Sequence, residues 1–307
     1  MNSIDKKFIP VMLTPFKQDG TIDFDALTEL TAFYLKAGAG GLFANCLSSE
    51  MYDLSPDERI KLVRHVLNIA DATVPVVATG SFGNNLDEHA DSIKRMYDTG
   101  VSAVIIITNQ IAPQNMDDHA FTEYVEKLLN ITHDIPLGFY ECPMPYKRLV
   151  TPGQINRLAR RYPLVYLKDT CMVLDKIKEK LAAAENTGLA IYDAFMGHAV
   201  ESLRAGAAGL SCIQGNYCPE LIVWLCNHYN NENLSAEVDA VQQFFRQQMV
   251  LMHEIYPLTA KYFLKKRGLN IASFCRQPTG GFTKEIREKI DQLYIDCNSL
   301  QQNLGIN

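Results

Sequence analysis

Lys168 closes the apolar run Leu164-Val-Tyr-Leu-Lys-Asp-Thr170. An amine is seldom taken out of water unless it is paired or used. Desolvated, it is a nucleophile at neutral pH and can form an imine with a ketone. Two other runs end in groups that would serve such chemistry. Pro136-Leu-Gly-Phe-Tyr-Glu-Cys-Pro143 presents Tyr140, a phenol able to move protons, and Gly138 on the same strand face leaves space beside it. Gly41-Leu-Phe-Ala-Asn-Cys46 is followed by Ser48-Ser49-Glu50, where hydroxyls and backbone N–H groups can hold a carboxylate and Glu50 orients the loop. Each residue taken singly has an ordinary explanation: a lysine paired with Asp169, a core tyrosine with its hydroxyl satisfied, serines in a turn. Their common place at strand ends points instead to Schiff-base chemistry on a 2-oxo acid.

Such residues need elements that bring strand ends together. Apolar runs occur at Ile9–Phe16, Gly41–Cys46, Pro75–Gly80, Ala103–Thr108, Pro136–Pro143, Leu164–Thr170, Leu189–Phe195 and Gly209–Gly215. Nearly continuous apolar runs suit parallel strands covered on both faces. Between them lie helix signals. Asp23 to Leu35 carries early acid and an apolar stripe before Gly38 and Gly40, and Ser55-Pro-Asp-Glu-Arg59 combines a cap, a first-turn proline and acid. Eight alternations predict a (β/α)8 TIM barrel over residues 1–230. A doubly wound sheet is the alternative, but the Gly-x-Gly-x-x-Gly turn is missing. Residues 231–307 read as a helical extension of the same domain, with helices at Ser235–Ile255, Pro257–Arg267 and Thr283–Gln302. It packs on the barrel or on a neighbouring subunit. In a barrel the strands' C-terminal ends carry the chemistry. Lys168 shares its strand face with Tyr166, but parity alone leaves open which face is interior.

Composition narrows the partners. The chain has 307 residues, a net charge of −6 and no basic block, which argues against nucleic acid. Its amino terminus lacks the apolar core of a signal peptide, and no apolar run reaches membrane-spanning length, so a cytoplasmic address is expected. Eight cysteines without a Cys-x-x-Cys pair suggest reduced, buried thiols. Cys46, Cys142, Cys171 and Cys212 all fall near strand ends, which keeps a metal or a reactive thiol as the sharper alternative to small apolar fillers.

Taken together, these motifs resemble the dihydrodipicolinate synthase/N-acetylneuraminate lyase superfamily of pyruvate-dependent class I aldolases. The resemblance runs from Ile9 into the helical tail. It rests on Pro10-Val-Met-Leu-Thr-Pro-Phe16, Ser48-Ser49-Glu50, Tyr140-Glu-Cys-Pro143, Leu167-Lys168-Asp169, and Gly206-Ala-Ala-Gly209 with Gly215-Asn216. It implies that Lys168 is the Schiff-base lysine and Tyr140 the proton-transferring phenol. Ser48 and Ser49 would hold the carboxylate of pyruvate or a 2-oxo acid, and Ser211 matches the strand-eight position lining the imine pocket. It further implies no metal or organic cofactor, because the lysine is itself the electron sink, and a homo-oligomer, a tetramer or dimer.

Three departures from the synthases stand out. Leu47 replaces a relay hydroxyl, Thr108-Asn-Gln-Ile111 occupies the stretch where a tyrosine is usual, and Pro145 stands in place of an arginine, with Lys147 or Arg148 as possible substitutes. They favour an aldolase or lyase acting on a sugar acid, such as a 2-keto-3-deoxy acid or N-acetylneuraminate. A dehydratase using the same imine is a related reading. The alternatives are 4-hydroxy-tetrahydrodipicolinate synthase activity and a catalytically silent barrel that binds a 2-oxo acid. Asn109, Gln110, His198 and Gln214 are candidates for the aldehyde side.

Overall fold

The structure is a computed structural model and describes residues 5–306. Eight parallel strands follow one another around the sheet: β1 (Lys7–Phe8), β2 (Leu42–Asn45), β3 (Val76–Thr79), β4 (Ala103–Ile107), β5 (Leu137–Tyr140), β6 (Leu164–Asp169), β7 (Ala190–Asp193) and β8 (Gly209–Leu210). β1 pairs with β8, and a parallel bridge between Val11 and Phe43 closes the ring toward β2. Helices α1 (Phe24–Lys36), α2 (Pro56–Ala70), α3 (Leu86–Tyr97), α4 (Asp118–Ile131), α5 (Pro152–Ala159), α6 (Leu174–Ala183), α7 (Ala199–Arg204) and α8 (Pro219–His228) follow the strands in turn. The fold is a (β/α)8 barrel.

Local chemistry explains the elements. α1 begins where the Asp23 carboxylate accepts from Ala26 N–H, and α2 begins with a reciprocal Ser55–Glu58 box ahead of Pro56. The first strand, Lys7–Phe8, lies ahead of the apolar run Ile9–Phe16 and not within it, because Pro10 and Pro15 offer no N–H to a ladder. Pairing survives around Pro10 through Ile9 N–H to Leu210 O (2.9 Å) and Met12 N–H to Phe43 O (3.0 Å). The eighth run also stops early. After Leu210 the chain turns into a 3-10 segment, Ile213–Asn216, held by Asn216 Nδ2 donating to Val11 O at 3.0 Å.

Strand parity, open in the sequence, is settled by packing. Phe43, Ile105, Tyr140, Tyr166 and Tyr192 form the barrel interior, whereas Val104, Phe139 and Leu167 pack in the layer under the helices. Register then decides the partners. Leu137 pairs with Leu164, but Gly138 pairs with Tyr166, so the register slips past Val165 and places Tyr140 opposite Lys168. Without that slip Lys168 would lie one residue out of register with Tyr140. Gly138 makes the close approach possible: a Cβ there would lie 2.5 Å from Tyr166 O and 2.8 Å from Ile105 Cδ1.

The chain continues through α9 (Ser235–His253), α10 (Leu258–Lys266) and α11 (Lys284–Asn303). These pack on this chain's own barrel. Gln242 of α9 accepts from Val200 N–H at 2.9 Å, and Lys261 of α10 donates to Glu50 Oε1 at 2.6 Å. Cys218, at the start of α8, is joined to Cys297 of α11 by a disulfide. That corrects the expectation of uniformly reduced thiols, since a pair 79 residues apart has no signature in local spacing. Cys46, Cys142, Cys171, Cys212, Cys226 and Cys275 are free.

Gly138→Ala is expected to lower stability by about 1–3 kcal/mol through overpacking between β5 and β6, read as a drop in the urea midpoint. An unchanged midpoint would show that the two strands can part without cost.

Candidate active site

A cavity of about 660 Å³ opens at the C-terminal end of the strands. Lys168 and Tyr140 line its base. Leu47, Ser48 and Glu50 come from the loop after β2, and Lys147 and Met144 from the segment after β5. Met249, His253 and Tyr256 come from the helical extension. Both ends of the chain therefore build one wall.

Three lysines are buried among the described residues, and their surroundings differ. Lys261 donates to Glu50 Oε1 and to Phe274 O. Lys180 donates to Glu141 Oε1 and Asp169 Oδ2. Burial works against the Lys180 charge, but these two carboxylates outweigh it and hold its pKa above the usual value. Lys168 is 4% exposed and pairs with no carboxylate among the described residues. Its amine lies 4.4 Å from the centre of the Tyr140 ring. Burial pulls its pKa below 10.5, outweighing the opposing effect of the thiols of Cys46, Cys142 and Cys212. The result is an amine biased toward its nucleophilic form.

Lys168 escapes pairing because of the residues beside it. Asp169 and Glu141 each follow a site residue on a strand, so their side chains point away from the interior and meet Lys180 of α6. Glu141 also accepts from Val150 N–H (2.8 Å) and Thr170 N–H (3.0 Å). Burial, with Asp169 nearby, raises the Glu141 pKa despite Lys180. The Tyr140 phenol is likewise pushed well above its ordinary value by burial and then by Cys142 and Cys46, so it keeps its proton.

The other sequence candidates separate. Ser48 lines the cavity, as does Tyr256. Ser49 turns behind the loop, where its hydroxyl donates to Met12 O (2.7 Å) and accepts from Cys46 N–H (3.1 Å). Ser211 lies beneath the base. It accepts from the Tyr166 hydroxyl (2.9 Å) and donates to Ile9 O (2.9 Å), below Tyr166 and Tyr192, which stack at 4.9 Å. Glu50 orients the loop from a left-handed backbone, φ 55°, accepting from Lys261 and from Arg276 N–H (2.8 Å).

Of the residues the sequence offered for the aldehyde side, Gln214 lines the cavity. Asn109 braces the segment after β5 by donating to Cys142 O (2.7 Å) and Met144 O (2.9 Å). His198 stands 3.2 Å from Asp193, away from the cavity lining. Arg148 is committed to Met116 O and Asp118, so Lys147 and not Arg148 brings a cation to the cavity wall. Its amine donates to Thr170 O at 2.7 Å.

Sequence reasoning missed Lys180, which sits in the charged stretch Asp175-Lys-Ile-Lys-Glu-Lys180. The available signal was its spacing of three from Ile177, which puts it on the apolar side of α6. Tyr256 carried no such signal, since only the return of the extension over the barrel brings it to the site.

Known proteins share this architecture. A family model described as the dihydrodipicolinate synthetase family matches residues 5–295. A relative named probable 2-dehydro-3-deoxy-D-pentonate aldolase YjhH, from Escherichia coli K12, is 23% identical and aligns over 94% of this chain and 97% of its own. The 4-hydroxy-tetrahydrodipicolinate synthase of Pseudoalteromonas atlantica is 27% identical over 87% of this chain and 89% of its own. Among solved structures, E. coli YagE, a prophage protein of the dihydrodipicolinic acid synthase family in complex with pyruvate, superposes with a TM-score of 0.85. It is 20% identical, with 95% of this chain and 98% of that chain covered. At that identity the likeness is one of fold.

The contrast between the buried lysines predicts opposite outcomes for one substitution. Lys168→Met removes an unpaired buried amine and is expected to raise stability by about 1–3 kcal/mol. Lys180→Met strands two buried carboxylates and is expected to cost about 3–5 kcal/mol. Urea denaturation of both variants measures the difference, and equal effects would contradict the electrostatic picture drawn above.

Proposed function

The chain belongs to the dihydrodipicolinate synthetase family, a family of pyruvate-dependent lyases, and from that premise we propose that it is a Schiff-base aldolase joining or parting pyruvate and an aldehyde. The observation that carries the reading is the buried Lys168 amine, free of carboxylates and 4.4 Å from the Tyr140 ring centre. In the cleavage direction the uncharged amine attacks the C2 carbonyl of a 2-oxo acid. Water leaves, and a protonated imine forms. The C3–C4 bonding pair then moves into the imine as the C4 hydroxyl gives up its proton by way of Tyr140. The aldehyde departs, the enamine is protonated at C3, and hydrolysis frees pyruvate and the amine. In this reading Ser48, on the cavity lining, holds the substrate carboxylate.

The aldehyde half is read as a sugar-acid chain. Lys147, Thr170, Gln214, His253 and Gln277 supply polar groups along the cavity, and the name of the E. coli pentonate aldolase relative is in keeping with a 2-keto-3-deoxy acid. Leu47 on the cavity wall and Pro145 after β5 speak against a 4-hydroxy-tetrahydrodipicolinate synthase. Leu47 is also the feature that favours the second reading, a silent 2-oxo-acid-binding barrel. The enzyme reading includes a cytoplasmic homo-oligomer.

Borohydride reduction in the presence of pyruvate is expected to leave a pyruvyl adduct on the peptide containing Lys168, seen by mass spectrometry and missing in Lys168→Ala. Absence of the adduct from the folded wild-type protein would refute the imine. Because burial lowers the Lys168 pKa, the trapping rate should climb with pH and level off below 10.5. In Tyr140→Phe, pyruvate release from 2-keto-3-deoxy acids should fall by about 10²- to 10⁴-fold.

A further inference from the structure

A 2-oxo acid brings a carboxylate that needs donors, and of the two adjacent serines only one offers a hydroxyl to the cavity. Ser48 lines it, whereas the Ser49 hydroxyl is spent on Met12 O at 2.7 Å. The lysines of the lining are Lys147, after β5, and Lys168, on β6. Among the described residues, the side of the cavity built after β8, β1 and β2 brings no lysine or arginine to the lining. Glu50 on that side is already paired with Lys261. A carboxylate there has to be held by neutral donors.

Tyr256 supplies a second hydroxyl. It reaches the cavity from the turn between α9 and α10, and Asn216, just after β8, fixes its oxygen. Val11 O can only accept, which gives the Asn216 amide one orientation. Nδ2 donates to Val11 O (3.0 Å) and to Tyr256 Oη (2.6 Å), while Oδ1 accepts from the Tyr34 hydroxyl. Both Nδ2 hydrogens are used in this way, and a phenol that accepts from Asn216 keeps its own hydrogen to donate. Asn216 is tied to Val11, and the Ser48 loop is tied through Ser49 to the next residue, Met12. The two hydroxyls are therefore anchored to adjacent residues of one strand segment. Burial holds the Tyr256 pKa well above its ordinary value, so the phenol remains a donor.

We propose that Tyr256 is a substrate-binding residue that donates its hydroxyl hydrogen to the carboxylate of the 2-oxo acid, alongside Ser48. The role deepens the Schiff-base reading above and rests on it. Discrimination between 2-oxo acids and uncharged ketones then comes partly from the helical extension, by way of a phenol that Asn216 holds in place.

Pyruvate and methyl pyruvate test this together, because the ester keeps the ketone and loses the charge. Cyanoborohydride trapping on Lys168 over a range of concentrations, read by mass spectrometry, gives the half-saturating concentration of each in wild type and in Tyr256→Phe. The variant keeps the ring and leaves Asn216 its bonds to Val11 and Tyr34, so it is expected to fold. The half-saturating concentration of pyruvate should rise by about 10- to 100-fold, the loss of one hydrogen bond to a charged group, and that of methyl pyruvate by less than about threefold. An unchanged value for pyruvate, with adduct formed as in wild type, overturns the role of Tyr256 and leaves the imine standing. Equal weakening of acid and ester also overturns it, by showing that the hydroxyl serves the structure of the cavity and not the carboxylate. Absence of adduct in wild type removes the imine and this role with it.

Discussion

The arrangement depends on where two negative charges go. Asp169 and Glu141 are the immediate neighbours of Lys168 and Tyr140, and either carboxylate, turned inward, would hold the Lys168 amine as an inert ammonium. Strand alternation sends both outward, into a layer too dry to leave them unpaired. Lys180 meets them there, with both oxygens of Glu141 also accepting backbone N–H groups. One buried cation thus clamps β5, β6 and α6 together and leaves the Lys168 amine without a counter-ion among the described residues. Lys180 and Lys168 differ in their partners, with burial nearly equal.

The opposite wall uses a similar device across a longer stretch of chain. Glu50, held in a left-handed conformation just past Ser48, is fixed by Lys261 from α10 and by the backbone of Arg276. Tyr256 lines the cavity with Ser48 and accepts from Asn216 (2.6 Å). The helical extension therefore fixes the loop after β2 as well as covering the barrel. Its length after the last strand is explained by this as much as by packing.

Much of this was legible in the sequence. The eight apolar runs, the α1 and α2 caps and the strand-end placement of Lys168 and Tyr140 all follow from local patterns, because periodicity and capping are short-range effects. What local patterns cannot carry is register and side-chain aim. Ser48 and Ser49 are chemically alike and adjacent, yet one faces the cavity and the other ties its loop to Met12. Ser211 occupies a reasonable position in a strand and proves to be spent on Tyr166 and Ile9. Lys180 reads as one charge among several until its helix face is known. The short β1 ahead of Pro10 and the Cys218–Cys297 bond depend on partners about 80 or more residues away.

The slip of register at Val165 gives the lysine its address by counting. The residue is exposed to 38%, lies outside the cavity lining and has no partner on β5. Because the slip absorbs it, the pairing of Tyr166, Leu167 and Lys168 with Gly138, Phe139 and Tyr140 is set on its C-terminal side alone. One residue more or fewer between Tyr166 and Lys168, with no slip to take it up, would offset the amine from the phenol and turn it toward the helices. The position of the amine is thus stored partly as spacing. A residue-by-residue comparison of chains in this family can match every side chain of the site and still miss whether the site can assemble.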